Sequence, residues 1–137
     1  MITWAELERD VLIVVCAISA GIHAALTPEH FAEGRGAGLG FLVAAVVLAG
    51  LAVTLTWRPS AVILAGTAVV LIGLLASYAL ATTTGLPLLH PTAEPVDGLA
   101  LATKAVEAAG LLAAAHLLWR DRPAVAVTHL QPKGRLT

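Results

Sequence analysis

Charge is scarce in this 137-residue chain: only 12% of residues are Asp, Glu, Lys or Arg, against 58% hydrophobic. A water-soluble domain carries roughly a quarter charged residues and fewer than half apolar ones, so that class is excluded. Disorder is excluded as well, because it requires low hydrophobicity and high charge. Eight Lys/Arg against nine Asp/Glu leave a net charge of −1 and no basic field for phosphates, so no nucleic-acid partner is expected. The single cysteine, Cys16, cannot form an internal disulfide, a CxxC redox pair or a cysteine zinc cluster. Nucleophile elbow, phosphate loop and metalloprotease motifs are also missing. No catalytic residue is assigned on this basis, and an enzyme is the weaker expectation.

What the chain does have is uninterrupted apolar sequence, with a mean hydropathy of +0.88. About 20 apolar residues cross a hydrocarbon core of roughly 30 Å. Four runs approach that length, at residues 11–26, 39–57, 61–81 and 99–119. The first is short unless its helix begins near Leu7, and the fourth is interrupted by Lys104 and Glu107. Backbone amides in lipid need internal partners, and the alternation of barrel strands is missing, so the spans must be helices. The expected fold is all-α, an integral membrane bundle of four transmembrane helices in one domain (residues 1–120) with a short tail (121–137). Glu6, Glu8, Arg9 and Asp10 do not make the basic flank of a signal peptide, so the first span is expected to be retained.

Four spans put both termini on one side. That side holds Arg9, Arg58, Arg120, Arg122, Lys133 and Arg135, while the other holds Arg35. The positive-inside rule then places both termini in the cytoplasm, with Trp4, Trp57 and Trp119 as inner-interface anchors. The expected location is the cytoplasmic (inner) membrane.

The segment at residues 27–38 reads as an outer loop. Thr27-Pro28-Glu29 has the pattern of a helix cap, and Gly34, Gly36, Gly38 and Gly40 read as a flexible re-entry into span two. Trp57-Arg58-Pro59-Ser60 reads as a tight inner turn, making spans two and three an antiparallel hairpin. Pro87, Pro91 and Pro95 stiffen the second outer loop, and Asp97 caps span four. Small residues recur at helical spacing as Gly66, Val70, Gly73, Ser77, Ala81 and Thr84 in span three. Thr103, Glu107, Gly110 and Ala114 do so in span four, and Ala45, Ala49 and Ala52 in span two. Such stripes let helices pack closely in lipid.

Polar residues inside the spans are the candidates for chemistry. Cys16, Ser19, Ala20, His23 and Thr27 form a stripe on span one. His23 lies roughly 6 Å below the outer end of that span, where an imidazole is either a hydrogen-bonded core residue or a ligand. Lys104 and Glu107 lie about 10 and 15 Å along span four from Asp97, and each costs about 2.5–3.5 kcal/mol to insert. At i, i+3 they can simply pair, or the carboxylate can take a proton or cation. His30, His90, Glu29, Glu94, Asp97 and Tyr78 gather near the outer face. Imidazoles and carboxylates suit copper or zinc, which need about three or four donors. The expected metal ligands are His23, His30, His90 and Glu107, with Tyr78 and Lys104 completing the pocket. The absence of HxxxH or HxH spacing makes that signal weak. His23 and His30 would share a face of one continuous helix, but Pro28 is expected to break it. A haem is the poorer match: His23 and His116 lie near opposite ends, leaving His23 with His90.

Gly21-Ile22-His23-Ala24-Ala25, Pro28-Glu29-His30, the run from Tyr78 to Pro87, Glu94-Pro95-Val96-Asp97 and Lys104 to Glu107 together resemble small, uncharacterised four-span integral membrane proteins of GC-rich bacteria. That resemblance, over residues 20–110, implies that the outward-facing elements belong together and brings no activity with it. Two further functional readings stand beside the metal pocket. One is an accessory or assembly subunit of a larger membrane complex, whose polar residues only lock helices or bind a partner span. The other is a proton-coupled carrier acting as a homo-oligomer.

Overall fold

The computed structural model describes residues 3–86, 93 and 95–120. They form four helices and no strand: α1 (Trp4–Glu33), α2 (Arg35–Trp57), α3 (Ala61–Thr83) and α4 (Gly98–Arg120). Each is long and apolar enough to cross a membrane. The chain is therefore a multi-pass, four-helix membrane bundle, with α1 against α2 and α4, and α3 against α2 and α4.

Local chemistry fixes the helix ends. At the start of α1 the Thr3 hydroxyl accepts from the Glu6 amide at 3.2 Å, and the Glu6 carboxylate accepts from the Thr3 amide at 2.7 Å. This reciprocal capping box begins the helix before Leu7 and makes the first span long enough. Ser60 accepts from the Ile63 amide to start α3, and Asp97 accepts from the Ala100 amide to start α4, as expected. Gly85, at φ 75°, closes α3 in the left-handed region that glycine adopts without penalty.

The expected outer loop at residues 27–38 is replaced by helix. α1 continues through Pro28 to Glu33, and Gly34 alone separates it from α2. Pro28 removes one amide donor, but the neighbouring Thr27 hydroxyl donates to the His23 carbonyl at 2.7 Å instead of capping a new helix. Membrane helices tolerate proline where other groups satisfy the backbone. Gly36, Gly38 and Gly40 are helical, and Gly38 has a packing role: a Cβ there would overlap the Phe31 ring. The one-residue connection folds α2 directly back along α1, which gives this pair the most extensive contact in the bundle.

The helices are apolar outside as well as inside. Val14, Ile18, Val43, Val46, Val62, Val69, Ile72 and Leu112 are exposed, whereas Ser19, His23, Thr67, Thr103 and Glu107 are buried. This inversion suits a hydrocarbon solvent. Leu12, Cys16, Leu48, Leu55, Leu64, Leu71, Ala114 and Leu117 form a cluster in the half of the bundle nearest the termini. Gly110 makes the close approach above it: a Cβ there would lie 2.6 Å from Val15 Cγ1 and 3.3 Å from Leu71 Cδ1. The stripe expected on α4 is buried as Thr103, Glu107, Gly110 and Ala114. On α2, Ala45 and Ala52 are buried but Ala49 is exposed. The stripe expected on α3 is largely wrong, because Gly66, Gly73 and Ser77 face outward. The helix instead buries Leu64, Thr67, Leu71 and Ala81. Spans two and three are adjacent, yet they make the sparsest contact of any neighbouring pair.

Candidate functional site

The half of the bundle distal to the termini is polar. Glu107, on the third turn of α4, has no exposed surface. Its Oε1 accepts from the Ser19 hydroxyl of α1 at 2.6 Å, and its Oε2 accepts from Lys104 Nζ at 2.7 Å. Both carboxylate oxygens are thus held by charge-assisted or hydroxyl donors, the condition for burying a charge in a low dielectric. Lys104 is 15% exposed at its side chain, and its ammonium lies 5.8 Å from the centroid of the Tyr78 ring. The i, i+3 pair expected from the sequence is therefore formed, with Ser19 as its third member.

Ser19 is the residue that sequence reasoning undervalued. Every threonine in the bundle core returns its hydroxyl to its own helix: Thr67 to Ile63 O and Thr103 to Leu99 O, both at 2.8 Å. Ser19 sends its hydroxyl across to another helix. The signal was its place in the stripe one turn before His23. That histidine is 6% exposed, and its Nδ1–H donates to the Ser19 carbonyl at 2.8 Å. In the neutral ring this leaves Nε2 as the acceptor, an orientation that protein ligands to metals and protons also use.

Because α1 is continuous, His23 and His30 do share a face. Phe41 of α2 meets both, with ring centroids 5.3 Å from His23 and 3.6 Å from His30. His30 Nδ1–H also donates to the Leu26 carbonyl at 2.9 Å. Phe41 gave no signal in the sequence. It helps to divide two cavities that share His23, Phe41, Tyr78 and Lys104 as walls. One, about 520 Å³, is a vestibule at the distal end, whose rim carries Glu29, Glu33 and Asp97 beside His30. The other, about 190 Å³, lies between α2 and α3.

Of the expected site residues, His23, His30, Tyr78 and Lys104 line the vestibule, and Glu107 lies beneath it, bonded to Lys104. His90 and Glu94 lie outside the described residues. Among the described residues, no three His, Cys, Asp or Glu side chains are grouped to hold a metal ion. Both oxygens of Glu107 already hold donors. His116 lies on α4, far from the vestibule. Its Nδ1 pairs with Glu8 of α1 at 2.8 Å and its ring stacks on Trp119, at the opposite end of the bundle. No family model matches this sequence, and no curated protein or solved structure is detectably similar to it.

Proposed function

We propose that this chain is a cytoplasmic-membrane protein, with both termini inside, that admits a small cation from the outer face to a carboxylate within the bilayer. A proton is the cation that the geometry favours. The observation that carries this reading is the fully buried Glu107, held by Ser19 and by a lysine that also borders the vestibule. Protonating Glu107 would remove the charge that holds Lys104. The freed ammonium could then turn toward Glu29, Glu33 and Asp97 on the rim. Proton uptake would thus be coupled to movement of a positive charge, the elementary step of ion-coupled membrane chemistry. Exposed Trp4, Trp57 and Trp119, with Arg58 and Arg120, support the assignment of the terminal end to the cytoplasm. Copper or zinc at His23, His30 and Glu107 would require Glu107 to leave both donors.

Infrared difference spectroscopy on the full chain in nanodiscs tests this reading. Lowering the pH should produce a protonated-carboxyl band that Glu107→Gln removes. Near-stoichiometric copper or zinc in the purified protein, lost on His23→Ala, would replace the proton with a metal. If no carboxyl band titrates and gentle solubilisation recovers a larger assembly indifferent to Glu107→Gln, the accessory-subunit reading holds instead.

A further inference from the structure

The cavity between α2 and α3 differs from the vestibule in nearly every respect. Its walls are small and apolar: Ala37, Gly40 and Ala44 on α2, with Leu74 and Ala81 on α3. Ser77, which is exposed, also lines it, and α2 and α3 are the neighbouring helices that touch least, so an opening between them would face the bilayer rather than water. Its inner end is polar, formed by His23, Tyr78 and Lys104. The Tyr78 hydroxyl is buried and has no hydrogen-bond partner among the described residues. A buried donor without an acceptor is costly, and more so in hydrocarbon, so this hydroxyl calls for an acceptor that the described residues do not supply.

We propose that this cavity binds the head of a neutral, carbonyl-bearing ring lipid of the lipid-quinone class, which enters from the bilayer between α2 and α3. Size sets the head group. A dry protein cavity of about 150 Å³ holds a benzene molecule, so about 190 Å³ accommodates one substituted ring. Charge sets its neutrality. The Lys104 ammonium is already matched by Glu107 at 2.7 Å, and the adjoining vestibule carries Glu29, Glu33 and Asp97. An anionic phosphate head would meet no unmatched positive charge among the described lining residues, whereas a ring carbonyl needs only a donor. The Tyr78 O–H donates to that carbonyl, and the apolar tail leaves through the α2–α3 mouth into lipid. This separates the cavity from the cation site. The ring lipid occupies the α2–α3 side of His23 and Tyr78, and the proton arrives from the vestibule side.

Equilibrium binding of a decyl-substituted benzoquinone to the full chain in nanodiscs, with protein-free nanodiscs as reference, tests the proposal. The wild type should bind one molecule per chain, saturably. Tyr78→Phe keeps the ring and removes the donor, and should weaken binding about tenfold, the value of one hydrogen bond. Ala44→Leu fills the cavity from α2 and should abolish saturable binding while the infrared titration of Glu107 persists. The tail-less benzoquinone should bind more weakly than the decyl form, and dodecyl phosphate should fail to compete. Binding no greater than in empty nanodiscs, equal affinity in both variants, or displacement by dodecyl phosphate would overturn the assignment. Loss of the Glu107 titration with intact quinone binding would strike the cation reading alone.

Discussion

In the terminal half of the bundle Leu12, Leu48, Leu55 and Leu71 meet with no exposed surface, around Cys16 and Ala114. A few turns away, His23, Tyr78 and Lys104 border both cavities, with Ser19 and Glu107 fully buried beside them. The two halves share length, helix type and lipid-facing chemistry, so the contrast is not one of fold. It comes from what each turn directs inward. Leucine in the terminal half fills the gaps between helices. Alanine and glycine in the distal half leave them open, and polar side chains line the result. In lipid no hydrophobic force pulls helices together, so packing and interhelical hydrogen bonds must hold them. The terminal half relies on the first and the distal half on the second.

The sharpest way to break this comparison is to take one member from the polar half. Lys104→Met leaves a buried carboxylate without its cation and should cost about 3–5 kcal/mol, measured by unfolding in bicelles. The double variant Lys104→Met/Glu107→Gln should recover most of that loss, since neutral partners need no counter-charge. Additive losses would mean that the two residues do not act as a pair. Next is the seam between the halves. Gly110→Leu drives a side chain into Val15 and Leu71 and should cost about 3 kcal/mol, with weakened α1–α4 contact.

Much of the architecture could be read before any coordinates, because apolar runs and helix caps are local signals. The Asp97 cap and the pairing of Lys104 with Glu107 both rest on residues within four positions of one another. The errors have a common physical origin. Pro28 reads as a breaker in water, yet here α1 passes through it, with Thr27 and the tight Gly34 junction around it. The buried face of α3 was misjudged because small residues mark close approach only when a partner is present, and Gly66 and Gly73 face outward. Phe41 became visible only when α1 and α2 were brought together, and the stripe that contained Ser19 did not reveal its partner on α4.

Two smaller effects sharpen the contrast. Leu48→Ala opens a cavity in the terminal half and should cost about 2 kcal/mol, leaving the infrared signature of Glu107 unchanged. Ser19→Ala removes one hydrogen bond to a buried charge and should cost about 1.5–2 kcal/mol. It should also shift the Glu107 carboxyl signal, which Leu48→Ala does not. At the opposite end, Glu8→Gln breaks the partly exposed pair with His116 and should cost under about 1 kcal/mol. A larger loss there would mean that the terminal end is more than an interfacial anchor.

Side-specific thiol labelling of single-cysteine variants in oriented membrane vesicles tests the central contrast most directly. With Cys16→Ser as background, Thr103→Cys on the vestibule wall should react with a membrane-impermeant maleimide from the outer side alone. Ala114→Cys, between the leucines of the terminal half, should react from neither side. Labelling of position 103 from the cytoplasmic side, or of position 114 from either, would contradict an outward-opening polar half above a sealed apolar one.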